Sequence, residues 1–171
     1  VDAPEPRGRD EAGRQVTEFV DGVLAIDAGP MGLAQLHRVG ALVRRIHDAA
    51  AVFVAPADAI WETVITAPGD ELICHNDLAP WNLVLGERWV FIDWDAAAPS
   101  TRSWDLAYAA QSFALGDPGE DPAVAAERLR SFVDGYEAPA ALRAQLPETM
   151  SARVAAMHAL LESSHRSGRE P

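Results

Sequence analysis

One stretch of the sequence gathers side chains able to do chemistry: His75-Asn76-Asp77-Leu78-Ala79-Pro80-Trp81-Asn82, with Asp93 following. The carboxylate of Asp77, in a loop after a short apolar run, can accept a hydroxyl proton or orient the hydroxyl for attack. Asn82 offers a neutral oxygen and Asp93 a charged one. Both are hard donors suited to magnesium, which prefers oxygen and tolerates few protein ligands. Pro80 stiffens the loop and so holds the separation of Asp77 and Asn82. The pattern predicts a base and two metal ligands within reach of one point.

These residues need elements to place them. Glu71 to Cys74 reads as a short strand delivering the loop. Leu83-Val84-Leu85 and Trp89-Val90-Phe91-Ile92 read as a hairpin across Gly86-Glu87-Arg88, and this hairpin returns Asp93 to the end of the sheet where Asn82 stands. Upstream, Leu33, Leu36, Val39 or Gly40, Val43, Ile46 or His47, and Ala50 recur at three- and four-residue spacing, so Met31 to Ala51 is predicted to be an amphipathic helix. A shorter helix is expected over Ala57 to Thr66. After Pro99 the chain reads as helical, over Ser103–Leu115, Pro122–Tyr136 and Glu148–Ser164, with Pro139 and Pro147 as punctuation. Near the start, Gly8 to Gly13 reads as a turn and Val16 to Val20 as a strand ending at Asp21-Gly22. Helices around a small β element give an α+β class, mostly helical.

Composition narrows the alternatives. The chain has 171 residues with 49% hydrophobic and 23% charged, which suits one folded domain and excludes wholesale disorder. A single cysteine, Cys74, rules out an intramolecular disulfide scaffold or a multi-cysteine metal cluster. No run approaches a membrane span and the start is no signal peptide, so a cytoplasmic protein with no membrane partner is expected. Acidic residues number 26 against 14 basic, a formal net charge of −12, which argues against a nucleic-acid partner. All 14 basic residues are arginine. Any mechanism needing a lysine from these residues is excluded, P-loop and Schiff-base chemistry among them.

His-x-Asp-x-x-x-x-Asn followed by Ile-Asp-Trp resembles the catalytic loop and metal segment of the aminoglycoside phosphotransferase family, relatives of the protein kinases. Asn76 stands where protein kinases have arginine, and Trp94-Asp95 where they have Phe-Gly. Both differences resemble the antibiotic and choline kinase side of that superfamily. Arg102-Ser103-Trp104-Asp105-Leu106-Ala107 and Arg45-Ile46-His47 resemble flanking segments of the family in the same order. The resemblance implies the C-terminal lobe of a kinase-like fold, with a small hairpin carrying the catalytic and metal motifs. It implies Asp77 as catalytic base or hydroxyl-aligning carboxylate, Asn82 and Asp93 as magnesium ligands, and ATP as co-substrate. His75 would brace the loop, and Asp105 would cap its helix and hydrogen-bond the loop. Main-chain groups near Phe19 and Val20 would meet adenine. The acceptor would be a small molecule, an aminoglycoside-like or other amine or a sugar.

On the same grounds, residues 1–15 would be the remnant of an N-terminal lobe hairpin, 16–22 a hinge strand, 23–164 the C-terminal lobe and 165–171 a flexible tail. The chain departs from the family in lacking a glycine-rich phosphate loop and a phosphate-pairing lysine. It is therefore expected to be a truncated lobe with little activity alone, exposing an apolar face that invites homodimerisation. The alternative is a natural one-lobe pseudokinase that binds a ligand or partner. A metal-dependent hydrolase is the weaker third reading, because an Asn82 and Asp93 pair is poor at activating water. His47 reads as a packed, hydrogen-bonded histidine. Trp81 lies close enough to Asp77 to line a pocket. The acidic residues Asp117, Glu120 and Asp121 suit either a solvated face or an amine acceptor.

Overall fold

The computed structural model describes residues 2–168. It is a mixed α/β structure of four α-helices and three small antiparallel sheets among the described residues. The elements run β1 (Pro6–Arg9), β2 (Gln15–Thr17), β3 (Val23–Leu24), α1 (Leu33–Ala50), β4 (Leu72–Cys74), β5 (Leu83–Leu85), β6 (Trp89–Phe91), β7 (Ala98–Ser100), α2 (Arg102–Ala114), α3 (Pro122–Gly135) and α4 (Ala140–Ser167). β1 pairs with β2, β4 with β7, and β5 lies between β3 and β6. None of the described helices is long and apolar enough to cross a membrane.

The apolar spacing of α1 holds through its middle, where Leu36, Val39, Gly40, Val43, Ile46 and His47 form the buried face, while Leu33 at its start is exposed. That face crosses α3 at backbone distance. A Cβ on Gly40 would stand 2.0 Å from the Phe132 carbonyl oxygen, and one on Gly135 would stand 1.9 Å from that of His37. Only glycine permits this approach, and it lets the flanking apolar side chains close the core without a void. An aromatic column continues the core toward the hairpin. Phe132 of α3 stacks on Phe113 of α2 at 6.4 Å, and Phe113 meets Phe91 of β6 edge-on at 6.0 Å. Burying each such ring stabilises the fold by roughly 2–3 kcal/mol.

Four expectations need correction. Residues 57–66 form no helix. Ile60 is 93% exposed and Val64 is exposed too. With no buried stripe to repay helix nucleation, and with β-branched residues in the run, the segment stays irregular. The strand expected over Val16 to Val20 stops at Thr17. Pro147 does not separate helices but lies inside α4. The missing Pro147 N–H leaves only the Arg143 carbonyl without its helical donor, and the helix runs on through that single gap. α4 also continues through His165 to Ser167, where a flexible tail was expected, and ends at Gly168 with φ +65°. Residues 169–171 lie outside the described residues.

Candidate active site

The 75–82 loop leaves β4, whose partner β7 follows the Asp93 segment, so one two-stranded ribbon anchors both halves of the candidate site. The loop closes with a 3₁₀ turn at Pro80–Asn82 that runs directly into β5. β6 then returns antiparallel, and the Ile92 amide donates to the Asn82 carbonyl at 2.9 Å. Asp93 therefore follows a residue bonded directly to Asn82.

Within the loop, the Asn82 side-chain nitrogen donates to the Asp77 carboxylate at 2.8 Å and to the Asp77 carbonyl at 3.0 Å. With that nitrogen committed, the amide oxygen is what Asn82 can offer a cation. Trp81 makes a longer contact to the same carboxylate, Nε1 to Oδ2 at 3.4 Å. His75 is fully buried; its Nε2–H donates to the Ile92 carbonyl at 3.0 Å, while Nδ1 accepts the Asp77 amide at 3.3 Å. These two contacts orient the ring and tie the loop to the Asp93 segment. The Asn76 side chain spans the same gap from the other side, donating to the carbonyls of Ala96 and Ala98 at 3.1 and 3.3 Å.

Asn76 and Asp93 both adopt left-handed backbone, at φ +63° and +60°. Asn and Asp bear this conformation better than most residues. Strain held within and beside a polar loop is a recurrent mark of functional sites. Asp93 and Asp95 are exposed. The Asn82 amide oxygen and the exposed Asp93 carboxylate are both hard oxygen donors, the chemistry that magnesium takes, and backbone pairing brings the residue before Asp93 to Asn82.

Asp105 serves the loop from beneath. Its Oδ1 accepts the Asn76 amide at 2.9 Å, and its Oδ2 meets His47 Nε2 at 3.0 Å. It does not cap its helix: Thr101 does, accepting the Trp104 amide on its hydroxyl at 3.2 Å. The expectation failed because two candidate caps stand four residues apart and only one precedes the helix. His47, Cys74 and Asp105 cluster closely enough to suggest a metal site. Their donor atoms are spent otherwise. His47 Nδ1 bonds the Tyr136 hydroxyl at 2.8 Å, Cys74 donates to the Thr101 carbonyl, and burial, followed by the Asp105 charge, pushes the Cys74 thiol up.

Two residues near Asp77 had no part in the sequence reading. Tyr108 of α2 faces Asp77. Burial, then the nearby Asp77 charge, push the phenol well above its ordinary range, so it stays protonated. Arg153 of α4 reaches the Asn76 carbonyl with Nη2 at 3.3 Å. The available signal was its position: Leu146, Met150, Arg153 and Met157 share one helical stripe, in which an arginine is out of place. Phe19 and Val20 fall after β2; Phe19 is 90% exposed, and the main-chain groups of both residues have no backbone partner among the described residues. A cavity of about 400 Å³ borders the far side of the loop, lined by Ile26, Met31, Pro80, Ser112, Asp117 and Glu120 among others.

A model of the phosphotransferase enzyme family matches residues 2–144. The chain belongs to that family. Within the wider kinase-like superfamily, it is similar in structure to the microcompartment-associated aminopropanol kinase, with a TM-score of 0.65 and 19% identity over 90% of this chain and 65% of that one. It is also similar to a choline/ethanolamine kinase family protein from Mesorhizobium loti, with a TM-score of 0.59 and 18% identity over 98% of this chain and 66% of the other. Among curated proteins, the trifolitoxin immunity protein of Rhizobium leguminosarum bv. trifolii is 30% identical over 146 residues, covering 75% of this chain. The chain spans about half of that relative, 54% of its length. Its kinase-like fold is shared with kinases of small molecules.

Proposed function

We propose that this phosphotransferase-family chain carries the acceptor and metal half of an ATP-dependent kinase of small-molecule hydroxyls. The observation that carries the reading is the Asn82 to Asp77 contact at 2.8 Å, with left-handed Asp93 directly after the residue whose amide bonds Asn82. Asp77 would take the acceptor's hydroxyl proton or align that hydroxyl. Its carboxylate is held by Asn82 and Trp81 and faced by the protonated Tyr108, so its direction is set before a substrate arrives. Asn82, through its amide oxygen, and Asp93 would hold magnesium. When bound, magnesium supplies charge neutralisation of the nucleotide phosphates. The free main-chain groups at Phe19 and Val20 would meet adenine.

The acceptor class is an amine-bearing alcohol, an aminoglycoside or amino alcohol in particular. The net charge of −12 attracts such a cation, and Asp117 and Glu120 line the cavity beside Pro80. The second reading is a module that binds a ligand or partner without transferring phosphate.

The test is ADP release by the natural protein that contains these residues, with magnesium and ATP, across amino alcohols, aminoglycosides and sugars. Acceptor-dependent turnover that falls by on the order of 10³-fold in Asp77→Asn is expected. Ligand binding without turnover overturns the reading in favour of the binding module, and equal turnover in the variant overturns the role given to Asp77.

A further inference from the structure

Arg153 comes from the long last helix, yet it is only 4% exposed. Its guanidinium lies 4.5 Å from the centre of the Tyr108 ring and 5.7 Å from that of Trp104. Nη2 donates to the Asn76 carbonyl at 3.3 Å, and Nη1 has no hydrogen-bond partner among the described residues. Burial pulls its pKa down, opposed by Tyr108, Asp105 and Asp77. A buried cation without a directly paired carboxylate is costly, and a methionine of similar length would fill the same apolar stripe more cheaply. What the charge gains in return is specific. One contact holds the carbonyl of the left-handed residue just before Asp77. The other, a cation–π contact, holds the ring of Tyr108, whose buried phenol lies within the influence of the Asp77 charge.

We propose that Arg153 is a positioning residue: by gripping the Asn76 carbonyl and the Tyr108 ring together, it sets where the Asp77 carboxylate stands, and so makes α4 part of the transfer apparatus. The proposal rests on the reading of Asp77 as the group that meets the acceptor hydroxyl.

Arg153→Met and Arg153→Lys in the natural protein test it through two readouts. The first is amide hydrogen exchange over residues 76–82, compared with α1 and α3. The second is the split between kcat and KM for ATP. Arg153→Met is expected to raise loop exchange about tenfold with α1 and α3 unchanged, and to lower kcat roughly 10- to 100-fold with KM for ATP within about twofold. Arg153→Lys, which keeps a donor for Asn76 but loses the planar stack, should recover part of both effects. If Arg153→Met does not fold, Arg153→Lys is read against the same criteria at smaller amplitude. Unchanged loop exchange overturns the proposal, as does a kcat unaffected by a loosened loop. Loosened loop exchange in a protein whose wild type transfers phosphate to no acceptor supports the grip on the loop and overturns the kinase reading instead.

Discussion

His47 on α1 and Asp105 on α2 meet in full burial, Nε2 to Oδ2 at 3.0 Å, and the second oxygen of Asp105 takes the Asn76 amide at 2.9 Å. One side chain thus joins two core helices to the loop that carries Asp77. Asp105→Ala would leave the His47 ring and the Asn76 amide without their acceptor in a dry interior. It is expected to cost about 3 kcal/mol in urea unfolding, and Asp105→Asn less, since one acceptor oxygen survives. An Asp105→Ala midpoint indistinguishable from wild type would show that water reaches the site.

The crossing of α1 and α3 makes a sharper stability forecast. A methyl at position 135 would collide with the His37 carbonyl, a backbone atom that cannot step aside alone. Gly135→Ala should therefore lose about 3 kcal/mol despite the higher helix propensity of alanine. A thermal midpoint equal to or above wild type would contradict the close packing.

Acid should loosen the joint between α1 and α2. Asp48 bridges Arg44 at 2.7 Å and Arg102 at 2.9 Å. Burial pushes its carboxyl up, but the two guanidinium contacts outweigh it and the net pKa lies below the ordinary 3.8. A folded-state value below the unfolded one contributes stability above about pH 4 that disappears as pH falls through the folded value. Asp48→Asn should flatten the decline of stability in that acid window, by no more than about 1 kcal/mol for so exposed a group. Parallel acid profiles for variant and wild type would remove Asp48 from the account.

Metal binding can be followed without turnover. Titrated into the protein, paramagnetic Mn²⁺ should broaden the NMR signals of Asn82 and Asp93 before others, and Asp93→Ala should abolish the selectivity. In the active natural protein the same variant is expected to lose on the order of 10³-fold in kcat, as fits the loss of several kcal/mol of charge stabilisation. Uniform weak broadening in both proteins would place the cation elsewhere.

Much of this site was legible because its logic is local. Asp77, Pro80 and Asn82 share one short loop, and the β5–β6 hairpin needs only a turn to return Asp93. The helical face of α1 was legible for the same reason, since its period is set by neighbours along the chain. What escaped depends on partners distant in sequence. β7 is defined by pairing with β4, and Arg153 gains meaning only once α4 lies against α2 and the loop. The expected 57–66 helix failed in the opposite sense: its local pattern was permissive, but no surface arrived to cover Ile60 and Val64. Pro147 misled because the loss of one helical hydrogen bond does not end a helix whose other turns are intact.

The two left-handed residues of the site, Asn76 within the loop and Asp93 after β6, divide the demands of folding from those of chemistry. At position 93 glycine would relieve the backbone most but would bring no oxygen, so a library selected for solubility should enrich glycine there while one selected for phosphate transfer should return aspartate. At position 76, where the amide side chain stitches two segments together, neither selection should favour a β-branched residue. The gap between those two tolerance profiles would measure how much foldability this protein gives up to keep its carboxylate in place.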